Sequence, residues 1–139
     1  MRPPAIAHSL RLQRTEGKLI MAFAFEDLQV YQRALDFAVN VIAVIDEIDA
    51  PRKHYKLIEQ IEASSTSVAS NISEGKGRYS KKEFRQFLYI SRGSLYETVT
   101  RLQIFRKLKW IDDSSFKSLY LEAEEINKML SGLINSIEA

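Results

Sequence analysis

From Phe25 onward, apolar residues recur every three or four positions in four separate stretches, the spacing of one α-helical face. The first stretch carries two such stripes. Leu28, Tyr31, Leu35, Ala38, Ile42 and Ile45 form one, and Val30, Ala34, Phe37, Val41, Val44 and Ile48 form the other. Together they cover about half the circumference, wider than the ~100° one buried face requires. This helix is therefore either central or packed partly on another subunit. Asp27 is the expected N-cap, and Asp49-Ala50-Pro51 ends the helix after Ile48.

The second stretch starts near Arg52–Tyr55 and places Leu57, Ile61, Val68 and Ile72 on one face. Its middle, Ala63 to Ser70, is almost all small. Serine and threonine are mediocre helix formers, so the run costs local stability unless it permits close helix approach. A loop is the alternative. Gly75 is expected to supply the left-handed residue that ends this helix, with Gly77 loosening the turn. Ser80-Lys81-Lys82-Glu83 then fits a capping box. The third helix runs to about Leu108 with Phe84, Leu88, Ser91, Leu95, Thr98, Leu102 and Phe105 inward. Asp112 or Asp113 caps the fourth, whose stripe is Phe116, Leu119, Ala123, Ile126, Leu130, Leu133 and Ile137. No segment alternates as a strand over a useful length. The pattern predicts an all-α, antiparallel up-down-up-down four-helix bundle over residues 21–139.

Composition narrows the chemistry. A chain of 139 residues fits one domain, and the absence of cysteine excludes disulfides, thiol nucleophiles and zinc–thiolate sites. That suits a reducing cytoplasm. No run approaches the ~20 apolar residues of a membrane span, so no membrane partner is expected. Residues 1–20 carry Arg2, Arg11, Arg14 and Lys18 against Glu16, and Pro3-Pro4 and Gly17 oppose a long helix. They read as a basic, disordered leader or an over-extended start.

Net charge is only +2, but it is unevenly spread. Residues 25–50 have six acids and one base, net −5, and residues 111–138 have six acids and two bases, net −4. Residues 76–109 have ten bases and two acids, net +8. A basic stripe in an otherwise acidic chain can steer a polyanion or pair subunits.

Catalytic candidates are few. His8 and His54 offer no paired ligand spacing, and no glutamate has a histidine three residues later, as a bundle di-iron site needs. Glu59, Glu62, Glu74 and Glu97 alone make a poor metal set. Neither metal nor cofactor is expected, and no enzymatic activity. Gly75-Lys76-Gly77 fails as a phosphate loop because it follows a helix rather than a strand. The start of the third helix remains a candidate anion site. Lys81 and Lys82 lie there, where the helix dipole disfavours cations by about 0.3–1 kcal/mol. Solvated lysines in a polar turn are the alternative.

Two further constellations stand out. Ser94, Glu97 and Arg101, with Asn71 and Glu74 at the end of the second helix, read as a polar network fixing helix register. If Arg101 is buried, Glu97→Ala should cost about 3–5 kcal/mol. Along the third helix, Arg85, Tyr89, Arg92 and Tyr96 step 4-3-4 on a face expected opposite the core, flanked by Lys81, Lys82, Arg106 and Lys107, with Lys76 and Arg78 extending the charge through the turn. Arginine contacts phosphate and tyrosine stacks on unpaired bases, which suits RNA. A subunit interface pairing these arginines with an acidic helix fits equally well.

Three blocks carry a resemblance. Phe25-Glu26-Asp27-Leu28-Gln29-Val30-Tyr31, Asn71 through Arg78, and Gly93-Ser94-Leu95-Tyr96-Glu97 resemble, in order, signatures of a bacterial family. It is the family named for proteins encoded in intervening sequences of 23S ribosomal RNA. The resemblance spans about residues 23–137. It implies a four-helix bundle, often a homopentameric ring, in which five basic stripes would reinforce polyanion binding. A more distant relative is the accessory variability determinant of diversity-generating retroelements, a basic bundle that partners reverse transcriptase and nucleic acid. The combined expectation is a non-catalytic homo-oligomer that binds structured nucleic acid or assists ribonucleoprotein assembly. The alternative is a ring-forming protein–protein scaffold with an acidic protein partner.

Overall fold

A computed structural model describes residues 14–15, 18–19, 22–49 and 54–138. Four helices follow in order: α1 (Gln29–Ile45), α2 (Tyr55–Lys76), α3 (Lys81–Lys107) and α4 (Asp113–Ser136). Each packs on its chain neighbours and α1 closes against α4, giving the antiparallel four-helix bundle that the periodicity predicts. The expected basic leader lies mostly outside the described residues. Its described part is a two-residue antiparallel pair, β1 (Arg14–Thr15) and β2 (Lys18–Leu19), with Arg14 opposite Leu19.

The core follows the inward stripes closely. Phe37, Val41, Ile61, Ile72, Leu88, Leu95, Leu102, Phe105, Leu119, Ile126 and Leu130 are fully buried. On α4 the stripe shifts by one residue near its end, so Ile134 is buried while Leu133 is half-buried. On α1 the second stripe dominates: Val30, Ala34, Phe37 and Val41 are buried, whereas Leu35 is 42% and Val39 65% exposed.

Several helix ends differ from expectation. Asp27 is not the α1 cap. It closes a 3-10 turn, Ala24–Asp27, and Leu28 takes the cap position without a side-chain bond. That turn is fastened by its own exchange, Glu26 Oε1 accepting from the Phe23 N–H at 2.9 Å. α1 stops at Ile45, three residues before Ile48, because the Asp46 N–H still bonds to Ile42 while Glu47 and Ile48 tighten into a final turn. Ser80 and Asp112 are caps as expected. Ser80 Oγ accepts from the Glu83 N–H at 3.2 Å, and Asp112 Oδ1 accepts from the Ser115 N–H at 2.7 Å.

Gly75 does not end α2 in a left-handed conformation. It is helical and buried, the helix continues to Lys76, and Gly77 caps it in an ordinary right-handed conformation, φ −81°. The left-handed stop falls instead on Lys109, φ 62°. There the Lys109 N–H bonds to Arg106 O and the Trp110 N–H to Phe105 O, both at 2.9 Å. This is a Schellman motif, completed by the packing of Trp110 on Phe105 with ring centroids 5.0 Å apart. His54, at the start of α2, also packs on Trp110, with ring centroids 5.2 Å apart.

The small run of α2 is helix, not loop, and it faces α3. Ser64 and Thr98 hydroxyls are 2.9 Å apart, as are those of Ser67 and Ser94. Ser91 Oγ donates to the Val68 carbonyl at 2.7 Å. Each such bond contributes about 0.5–1.5 kcal/mol, which offsets the weak helix propensity of the serines. Close approach is what makes them possible.

Candidate functional site

The polar network forms only in part. Asn71 Nδ2 donates to both the carbonyl and the hydroxyl of Ser67, at 2.8 Å each, and Ser67 joins Ser94 across the α2/α3 seam. Glu74 stands apart, paired with Arg78 at 2.8 Å on the surface. Glu97 and Arg101 are 3.7 Å apart, with Glu97 59% exposed, and Arg101 also donates to the Gln60 carbonyl. The Arg101 side chain is 25% exposed, so the pair is not buried. Ser64, Ser67 and Thr98, absent from the sequence-level network, are its centre. Their signal was present: Ser64, Ser67 and Asn71 step 3-4, as do Ser91, Ser94 and Thr98 facing them.

The basic residues gather around the N-terminal half of α3. Lys76 Nζ lies 5.4 Å from the Phe84 ring and the Arg78 guanidinium 4.7 Å from Phe87, so both stems cover aromatic edges of the turn. Arg78 is already neutralised by Glu74. Lys81 and Lys82 are exposed in the first turn of α3.

Arg85, Tyr89, Arg92 and Tyr96 make a continuous ladder. The Arg85 guanidinium lies 5.8 Å from the Tyr89 ring, and Arg92 lies 5.0 Å from Tyr89 and 6.0 Å from Tyr96. The ladder does not sit opposite the core as its helical phase suggests. It runs along the flank against α4, because Arg92 donates to Ser131 Oγ at 3.0 Å and the Tyr96 hydroxyl to Asn127 Oδ1 at 3.0 Å. These bonds fix Arg92 and Tyr96 in place.

Charge along the ladder is uncompensated. Four arginines of the described residues, Arg33, Arg78, Arg101 and Arg106, have carboxylate partners, but Arg85 and Arg92 have none. Arg85 Nε is shielded from solvent and donates to no acceptor. By contrast, two acidic residues of α4 have partners on α1: Glu125 pairs with Arg33, and Glu122 accepts from the Asn40 amide at 2.9 Å. The Arg33–Glu125 contact raises the arginine above its ordinary value and holds the Glu125 carboxyl below its own.

Sequence reasoning missed the α4 half of this seam. Tyr120, Glu124, Asn127 and Ser131 step 4-3-4, the same rhythm as the ladder, and Asn127 and Ser131 bond to it. Among the described residues no cluster of histidine and carboxylates could hold a metal, and no helix is long and apolar enough to cross a membrane.

Comparison with known proteins places this architecture. No curated protein matches the chain. A crystal structure of a protein of unknown function from the S23 ribosomal protein family of Bacteroides thetaiotaomicron is 28% identical, with a TM-score of 0.70. The match covers 76% of this chain and 97% of that one. The family model for the 23S rRNA-intervening sequence protein matches residues 26–132, from the 3-10 turn to the last turns of α4. The chain therefore belongs to the 23S rRNA-intervening sequence protein family.

Proposed function

We propose that this protein is a non-catalytic, homo-oligomeric bundle of the cytoplasm that binds structured nucleic acid and assists ribonucleoprotein assembly through α3. The observation that carries the reading is the Arg85–Tyr89–Arg92–Tyr96 ladder, in which both arginines lack a carboxylate partner among the described residues and both tyrosines are about half exposed. Cations without internal partners attract phosphate, and fixed aromatic faces stack unpaired bases. Lys76, Lys81 and Lys82 extend the field toward the turn.

A protein–protein scaffold is the second reading. It is favoured by the exposure of Val39 on α1 and of Ile90 and Ile104 on α3, at 65%, 47% and 46%. Such residues suit a contact between copies in a ring, including the pentamer that the family resemblance implies. The two readings separate on one double variant. Reversing Arg85 and Arg92 to glutamate should cut RNA affinity at least tenfold while the oligomer mass stays constant. Unchanged affinity, or loss of the oligomer, would favour the scaffold.

A further inference from the structure

We infer that the groove between α3 and α4 beside Tyr96 is a pocket for one unpaired guanine of a bound single strand. This rests on the nucleic-acid reading and gives it a base preference. The groove has a volume of about 270 Å³ and is lined by apolar Val99 and Ala123, with the rings of Tyr96 and Tyr120 at its edge. Those rings are 50% and 40% exposed, which leaves aromatic surface beside an apolar recess. That is the chemistry on which a base stacks.

Two polar groups then choose the base. The Tyr96 hydroxyl donates to one lone pair of Asn127 Oδ1 at 3.0 Å and so orients the amide, whose N–H donors have no partner among the described residues. Glu124, one turn earlier on α4, lines the groove and makes no hydrogen bond or ion pair among the described residues. The pocket thus presents a donor next to a two-oxygen acceptor. Guanine alone carries the complement on its Watson–Crick edge, an O6 acceptor adjacent to the N1–H and N2–H donors. Adenine and cytosine place a ring-nitrogen acceptor where the carboxylate would repel it. Uracil offers one N–H between two carbonyls. Glu124 would also repel a phosphate, so it suits a base edge and not the backbone. Arg92, 6.0 Å from the Tyr96 ring, is placed to hold the neighbouring phosphate.

The test uses fluorescence anisotropy on the full chain with a labelled oligouridylate of about twelve nucleotides, within the usual site sizes for single strands. The same oligomer is then made with its central residue changed to guanosine, inosine, adenosine or cytidine. Guanosine should tighten binding about tenfold, the equivalent of about 1.4 kcal/mol. Inosine, which lacks the N2 amino group, should give only part of the gain. Glu124→Gln should erase the guanosine preference without weakening oligouridylate binding, since it removes a charge that repels phosphate. Equal affinity for all oligomers, or a preference that survives in Glu124→Gln, would overturn the pocket while oligouridylate binding upholds the nucleic-acid surface. No binding of any oligomer at low salt would overturn both.

Discussion

Gly75 of α2 lies so close to Phe87 of α3 that a Cβ built on the glycine would stand 2.5 Å from the phenylalanine Cβ. The obstructing atom sits next to the backbone and cannot swing aside, so the helices themselves would have to part. Gly75→Ala should therefore destabilise by about 2–3 kcal/mol despite alanine's better helix propensity, as overpacking does. At Gly77 a Cβ would meet the Glu74 carbonyl at an ordinary 3.5 Å, and φ is −81°. Gly77→Ala should be neutral within about 0.5 kcal/mol. Urea unfolding of the two variants side by side checks the contrast.

Lys109 holds a conformation that glycine adopts without strain. Its φ of 62° completes the Schellman turn between α3 and α4, and a left-handed L-residue costs about 1–2 kcal/mol. Part of that is returned by glycine's greater freedom when unfolded. Lys109→Gly should stabilise by about 0.5–1 kcal/mol. A lowered urea midpoint would show that the lysine makes a compensating contact.

These glycine and lysine positions show what the sequence could and could not reveal. The four helices, the Ser80 and Asp112 caps and most of the core were legible because they depend on periodicity and local bonding. Where α2 ends was not, since Gly75 is required by Phe87, twelve residues away in the chain and on another helix. Lys109 broke the rule that glycine fills a left-handed position, so the end of α3 near Leu108 was legible but its left-handed geometry was not. At the candidate site the 4-3-4 line of Arg85 to Tyr96 was readable, but its facing was not. Helical phase puts it outside, and only Ser131 and Asn127 draw it to the α4 seam.

The α2/α3 hydroxyls should act in pairs. Ser64→Ala and Thr98→Val each should cost about 1 kcal/mol, and the double variant should cost less than their sum by about 0.5–1 kcal/mol. Strict additivity in a double-mutant cycle would dissolve the proposed coupling across the seam.

Glu97 should matter little. Its partner Arg101 is partly exposed, lies 3.7 Å away and keeps its bond to Gln60. Glu97→Ala should cost under about 1 kcal/mol, the usual range for exposed pairs, not the several expected of a buried one. A melting temperature lowered by many degrees would mean that the pair is shielded from solvent after all.

Asp112 gives the fold a specific acid sensitivity. Its carboxyl is held below the ordinary value chiefly by the Ser115 N–H, then by the Ser115 hydroxyl. A carboxyl depressed in the folded state stabilises above its unfolded value, about 3.9, and loses that contribution as pH falls through the folded value. Asp112→Ala should lower the melting temperature at pH 7, with a gap that narrows below about pH 4. A gap independent of pH would assign the effect to packing.

The central claim is that the α3 ladder contacts phosphate. Its most direct test is the affinity for single-stranded RNA measured across a range of salt concentrations. Counterion release predicts a straight log–log plot with a slope of about −0.7 per phosphate, hence about −2 to −3 for three or four contacts. Arg85→Glu combined with Arg92→Glu should flatten that slope. Binding that does not vary with salt, or no binding at low salt, would contradict the account.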